Sequence, residues 1–438
     1  MKNIISIKTI FLISILLLTI IGFNKFSNDM MESIFLENAV NDDFGSSLGT
    51  TLYLKDMNGE IITVGSVEEF ERYFSKSRIR LKREYSFVVD FSEINKFKEK
   101  TNYNLYFGSY NQPEIFKIAN QSFDTISNNY EDYLKQIRDW LTLPINEIQI
   151  LDKNFDHDKS TIYPETIGVK IFNNSYFYNF YRSSKKSKCL IIYHEGHGGK
   201  PENYLSFANL VLESKSKDCD VLALSMLGMG YNLQKFEMPT RNGIEVIDEN
   251  QLNHKEFMNF YFNVDGVYKS PLLPFFIYQH EVIKFVIESG QYEHINFLGF
   301  SGGGWNGLGL GILTSEIDKV ILIAGSLPRP YLSDGFFSSQ YPEPEQTLQD
   351  FYDRINYWDL YFMLSHQKEI NQDREVFFVY NSNDSCCYRD PELTLFKEVI
   401  EEVIKLNEIS NLSLKVYKSN SHEYYLDDWL LNNLFQQT

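Results

Sequence analysis

The chain has 438 residues, 43% hydrophobic and 23% charged, enough apolar side chain for a full core and enough length for more than one domain. Fifty-nine acidic residues against 41 basic ones give a formal net charge of −18. That is the opposite of the basic surface a nucleic-acid partner requires.

At the N-terminus, Lys2 and Lys8 precede an uncharged run from Thr9 to Phe23. About fifteen residues suits a signal-peptide core, and counting back to Ile4 gives about twenty, a membrane span with Lys8 snorkelling. Residues 1–26 are therefore expected to be a signal peptide or a membrane anchor. No small-x-small cleavage site follows, so both readings stay open, and either favours export of everything after Phe26.

Residues 27–150 have the pattern of a small N-terminal α/β extension. "TLYLKDMNGEIITV" alternates apolar and polar positions about Asn58-Gly59, a hairpin signal. "SVEEFERYFSKSRIRL" reads as a helix with Ser66 as N-cap and Glu69 three residues on. Asn129 to Leu141 is a second amphipathic helix, stopped near Pro144. No catalytic residue types converge here, so the segment is expected to be a scaffold or a wall.

Residues 151–438 change to strand–helix alternation. "SYFYNFYRS" alternates like a half-buried strand, and "KCLIIYHEG" and "CDVLALSM" are continuously apolar, as strands covered on both faces are. "HINFLGF", "KVILIAG", "EVFFVYN" and "LSLKVYKS" are further strands, separated by helical runs such as "LLPFFIYQHEVIKFVIES" and "ELTLFKEVIEEVIKL". This alternation predicts an α/β fold, a mostly parallel sheet with helices on both faces. Chemistry in such sheets gathers at the carboxyl ends of the strands.

Those ends carry "HEGHGG" (194–199), Ser301, Asp384 and His422. Gly299-Phe300-Ser301-Gly302-Gly303 is a G-x-S-x-G between a strand and a helix, the context in which a serine sits exposed on a sharp turn at a helix N-terminus. Asp390 is the competing carboxylate, further past its strand and just before Pro391. Four cysteines in an exported chain can pair. A Cys189–Cys219 bridge forms if their two strands are neighbours, whereas a Cys386–Cys387 ring would be strained and is the weaker expectation. His194 and His197 share no helix and no third ligand is evident, so no metal site is expected.

"GFSGG", the order Ser301, Asp384, His422, and "HEGHGG" after an earlier strand resemble the α/β-hydrolase superfamily over roughly residues 160 to 438. The resemblance implies a serine hydrolase, most simply a carboxylic-ester hydrolase acting on a small-molecule ester without a cofactor. Ser301 would be nucleophile, His422 general base, Asp384 the orienting acid, and Gly302 and the His197 region the oxyanion hole. An acyltransferase or a serine peptidase would share the same residues, and a non-catalytic binding module would need none of them. Insertions near 226–272 and 326–373 resemble the cap segments of that superfamily. "DFYDRINYWDLYFML" in the second insertion reads either as a packed lid helix or as core.

Overall fold

A computed structural model describes the short strands 50–55, 61–66, 80–81 and 87–88 in the first hundred residues. From 106 to 435 it describes all but residues 144–147, 154–163, 172, 184–186, 198, 214–218, 233–234, 241, 248–253, 255–257, 259–260, 265–266, 291, 329–330, 332–342, 367–373 and 389–391. The N-terminal segment 1–26, Asn58-Gly59, most of the helix expected after Ser66, and Asp390 lie outside the described residues. The chain divides into two compact units, Met1–Pro113 and Glu114–Thr438, ahead of the change of texture near 150. In the first unit, Thr50–Lys55 pairs antiparallel with both Ile61–Ser66 and Tyr106–Asn111. Arg80–Leu81, expected to end a helix, is instead a strand paired with Phe87–Val88.

Helix α1 (Gln112–Leu141) runs well upstream of the helix expected from Asn129, and it breaks at that residue, which has non-helical φ and ψ of −130° and 26°. Its buried stripe, Ile115, Ala119, Ser122, Ile126, Tyr130, Leu134, Ile137 and Leu141, follows the helical period.

A nine-stranded sheet forms the centre of the second unit. Its strands are β1 (Ile148–Lys153), β2 (Glu165–Ile171), β3 (Asn174–Tyr181), β4 (Cys189–His194), β5 (Cys219–Leu224), β6 (His294–Phe300), β7 (Lys319–Ile323), β8 (Glu375–Asn381) and β9 (Leu412–Tyr417). The spatial order is β9-β8-β7-β6-β4-β5-β3-β2-β1. The six strands from β9 to β5 are parallel, and β3, β2 and β1 continue antiparallel. Besides α1 and a single turn at Gln349–Tyr352, the helices among the described residues are α2 (Pro201–Glu213), α3 (Leu273–Ser289), α4 (Gly302–Leu313), α5 (Tyr357–Ser365), α6 (Glu392–Leu406) and α7 (Asp428–Phe435).

Residue parity along β6 shows that both faces are covered, because successive side chains point to opposite sides. Phe297 faces Gly307 of α4, while Asn296 beside it donates through Nδ2 to the Leu434 carbonyl of α7 at 2.7 Å. In β8, likewise, Phe378 meets Tyr361 of α5 and Phe377 meets Trp429 of α7. Tyr193 of β4 stacks on Phe207 of α2 at 4.0 Å. It is in register with Leu298, so α2 lies on the α7 face.

Helix α4 is poor in intrinsic propensity, with glycine at 302, 303, 304, 307, 309 and 311. Every one of its residues is buried, and a Cβ on Gly309 would strike the Phe276 ring of α3. Arg374, just before β8 and 2% exposed, caps its far end. The guanidinium donates to the carbonyls of Gly311, Thr314 (2.6 Å) and Ile317 (2.7 Å), which lie at or just beyond the negative end of the helix. Cations at a helix C-terminus are favourable, and the cost of burial lowers this guanidinium's pKa to about 10.

The insertions are structured. Within 226–272, a separate four-stranded sheet orders Gly243–Ile247, Phe236–Thr240, Phe262–Val264 and Val267–Lys269. In the second insertion α5 is core, with Tyr357 to Leu364 all buried. Its start is fixed by a capping box between Asn356 and Asp359. Cys189 and Cys219 stand opposite each other on adjacent parallel strands and are disulfide-bonded. Cys386 and Cys387 are bonded too, against the weaker sequence expectation. Among the described residues no helix is long and apolar enough to cross a membrane.

Candidate active site

The strand order, the six parallel strands and the helices on both faces make this an α/β-hydrolase fold, so the carboxyl ends of β4 to β9 are where its chemistry should gather. Ser301 lies at the end of β6, one residue before α4, with φ 54° and ψ −124°. A non-glycine residue with positive φ costs of order 1–3 kcal/mol and persists only where the surroundings over-determine it. Here they do: the Ser301 N–H donates to the Ile323 carbonyl of β7 at 2.8 Å, and its own carbonyl accepts from Trp305 N–H at 3.1 Å.

Glycine at 299 and 303 is required by close approach. A Cβ on Gly299 would meet the Gly303 carbonyl, and one on Gly303 would meet the His194 carbonyl of β4. Gly196 is held as closely from the other side. A Cβ there would lie 2.6 Å from Ser301 Cβ and 2.7 Å from Gly302 N. The "HEGHGG" loop therefore packs directly on the serine turn, and Gly302, first residue of α4, has no intrahelical partner for its N–H.

His194 fixes that packing. It is fully buried, and burial, only partly offset by hydrogen bonding to Glu195, lowers its pKa to about 4. Asn306 Nδ2 donates to its Nε2 at 3.0 Å, so Nδ1 carries the proton and donates to the Glu195 carbonyl. The ring is a neutral strut between loop and helix. The Glu195 carboxylate accepts from Tyr193 Oη and from Asn203 Nδ2 at 3.2 Å. Burial raises its pKa, against the Asn203 hydrogen bond and His422.

Asp384 follows β8 and is completely buried. Its Oδ1 accepts from the Cys386 and Cys387 N–H groups at 2.7 and 3.0 Å. His422 follows β9, its Nδ1 lying 2.9 and 2.8 Å from Asp384 Oδ1 and Oδ2. A carboxylate only accepts, so Nδ1 carries the proton and Nε2 is left with a lone pair. Asn381 anchors the His422 loop, donating from Nδ2 to the Ser421 and Glu423 carbonyls at 2.8 and 2.7 Å. The imidazole leans on the ring of Phe300, the neighbour of Ser301, at 4.8 Å between centroids. A cavity of about 480 Å³ beside it is lined by Glu195, Phe207, Phe300, His422 and Tyr424, with Ser301 outside the lining.

The His197 ring packs on Gly302, where a Cβ would lie 2.6 Å from its Cε1 and Nδ1. Its Nε2 lies 2.7 Å from Glu345 Oε1 and 3.2 Å from His254 Nδ1. Those partners come from the two insertions, 57 and 148 residues along the chain, and no sequence motif couples them. They are the polar residues near the site that the sequence reading missed.

No family model matches the chain, and no curated protein matches it. Among solved structures it is similar to acetyl xylan esterase 1 from Thermoanaerobacterium sp. JW/SL YS485, with 16% identity over 70% of this chain and 92% of that one, and a TM-score of 0.40. An acetyl xylan esterase from Paenibacillus sp. R4 gives 14%, 69%, 90% and 0.37 in the same terms. The acylaminoacyl peptidase of Pyrococcus horikoshii gives 12%, 60%, 38% and 0.37. Identities and scores this low carry no information about substrate.

Proposed function

We propose that the chain is a serine hydrolase that cleaves a small carboxylic ester through an acyl-enzyme intermediate. The observation that carries this reading is the strained Ser301 at the strand–helix turn, with a buried carboxylate hydrogen-bonded to a part-buried imidazole at the ends of two further strands of the same sheet. Ser301 is the nucleophile, and His422 Nε2 takes its Oγ proton as Oγ bonds to the ester carbonyl carbon. Asp384 holds the proton on Nδ1 and stabilises the imidazolium. The N–H groups of Gly302 and His197 hold the oxyanion of the tetrahedral intermediate. His422 then hands its proton to the departing alkoxide, and the same base activates a water that releases the acid. Export is supported by two disulfides, which an oxidising compartment permits.

The test is pre-steady-state hydrolysis of an aryl ester by the purified chain. The account expects a burst of phenolate equal to one active site, followed by slower turnover, and neither from Ser301→Ala. Hydrolysis by Ser301→Ala at the wild-type rate would overturn it. Partition of the acyl group between water and an added alcohol or amine decides between hydrolase and acyltransferase.

A further inference from the structure

His197, His254 and Glu345 converge on one point from three separate segments. The Glu345 carboxylate is wholly buried. Oε1 is 2.7 Å from His197 Nε2 and Oε2 is 3.0 Å from His254 Nδ1. The second contact is close but too misaligned for a hydrogen bond, leaving Oε2 a buried acceptor without one.

Proton counting shows what the cluster lacks. His254 Nε2 lies 3.2 Å from the Leu227 carbonyl, which can only accept, so that nitrogen bears the proton. In the neutral ring Nδ1 is then a lone pair, aimed at a carboxylate oxygen and, 3.2 Å away, at His197 Nε2. His197 Nε2 donates its proton to Oε1 at 2.7 Å, so the gap left is between His254 Nδ1 and Oε2, which a second proton or a metal ion fills. A proton on Nδ1 serves one misaligned partner, whereas a metal ion serves all three.

We propose that His197 Nε2, His254 Nδ1 and the Glu345 carboxylate form a divalent-cation site of the zinc type. Two imidazoles and one carboxylate are a donor set that zinc favours. Donor separations of 2.7–3.2 Å are shorter than the roughly 3.3–3.6 Å between donors of a tetrahedral ion at about 2.0–2.2 Å, so binding moves the three side chains slightly apart. The Leu227 carbonyl on the far nitrogen of His254 is the partner that orients a ligating imidazole. Phe275, edge-on to His254 at 4.9 Å between centroids, gives that ring a rigid apolar wall. The ion ties the loop beside Ser301 to both insertions, and its binding does not depend on Ser301 being a nucleophile.

The test uses the full chain, dialysed against EDTA and titrated with zinc chloride against a metallochromic indicator. The site predicts one equivalent bound and a higher unfolding midpoint. It also predicts affinity reduced on the order of 100-fold or more in Glu345→Gln and His254→Gln. His422→Gln, which alters the histidine beside Cys386–Cys387, should keep the equivalent. X-ray absorption of the zinc-loaded wild type, which needs no variant to fold, should show nitrogen and oxygen neighbours at about 2.0–2.2 Å. No bound equivalent at micromolar zinc, unchanged affinity in both ligand variants, or sulfur neighbours would overturn the proposal.

Discussion

Replacing Asp384 by Asn changes one atom, and the surrounding hydrogen bonds dictate where that atom goes. Oδ1 accepts from the N–H groups of Cys386 and Cys387 at 2.7 and 3.0 Å, and two donors cannot face an NH₂ group. The amide oxygen therefore stays there, and the NH₂ takes the Oδ2 place, 2.8 Å from His422 Nδ1. It donates to Nδ1, which must become the lone pair, so the proton moves to Nε2, the atom that should accept the serine proton. The ring keeps its place in the wrong tautomer. Such a change costs about 10³–10⁴-fold in kcat, with little effect on KM because no substrate contact is lost. Stability should fall by about 1–2 kcal/mol as two charge-assisted hydrogen bonds become neutral ones. The assay is aryl-ester kinetics beside thermal unfolding of the same preparations. A folded Asp384→Asn with less than a tenfold loss of kcat would refute the reasoning, and a larger loss from Asp390→Asn would move the acid to Asp390.

Two further outcomes follow from groups outside the reaction. His194 is neutral when folded, with a pKa of about 4 against 6.5 when free, so the unfolded chain binds more protons between those values. Its contribution, of the order of 3 kcal/mol, is fully present above pH 6.5 and lost as pH falls through about 4. Stability measured by denaturant titration from pH 7 to 4 should show that slope, and His194→Gln should lose it. Removing the Cys189–Cys219 bridge, which spans a sequence separation of 30, by the double change Cys189→Ala and Cys219→Ala should cost about 3–4 kcal/mol of chain entropy. An unchanged urea midpoint would show that the bridge contributes nothing.

The sheet was readable because its inner strands are short continuous apolar runs between helical periods, a pattern that only burial on both faces produces. The serine turn was readable because close approach at Gly299 and Gly303 admits no side chain, and that requirement is written in residue type. Pairing of Asp384 with His422 followed from chain order along the strand ends. What was hidden depends on contacts between distant segments. Nothing local to Glu345 distinguishes it from a surface carboxylate in "PEPEQ", yet it is wholly buried between two histidines. The segment around α5 carries aromatics on more than one helical face, so periodicity could not separate lid from core; only the packing of Tyr361 on Phe378 and Phe396 does. The upstream half of α1 was missed because it breaks at Asn129.

Reaction of the purified chain with a fluorophosphonate tests the central claim most directly, because the reagent bonds covalently only to a serine activated by a neighbouring base. Peptide mass spectrometry should place one phosphonate on Ser301, with labelling abolished in Ser301→Ala and slowed in Asp384→Asn. A folded wild-type chain that takes up no label, or carries it on another residue, would contradict the account.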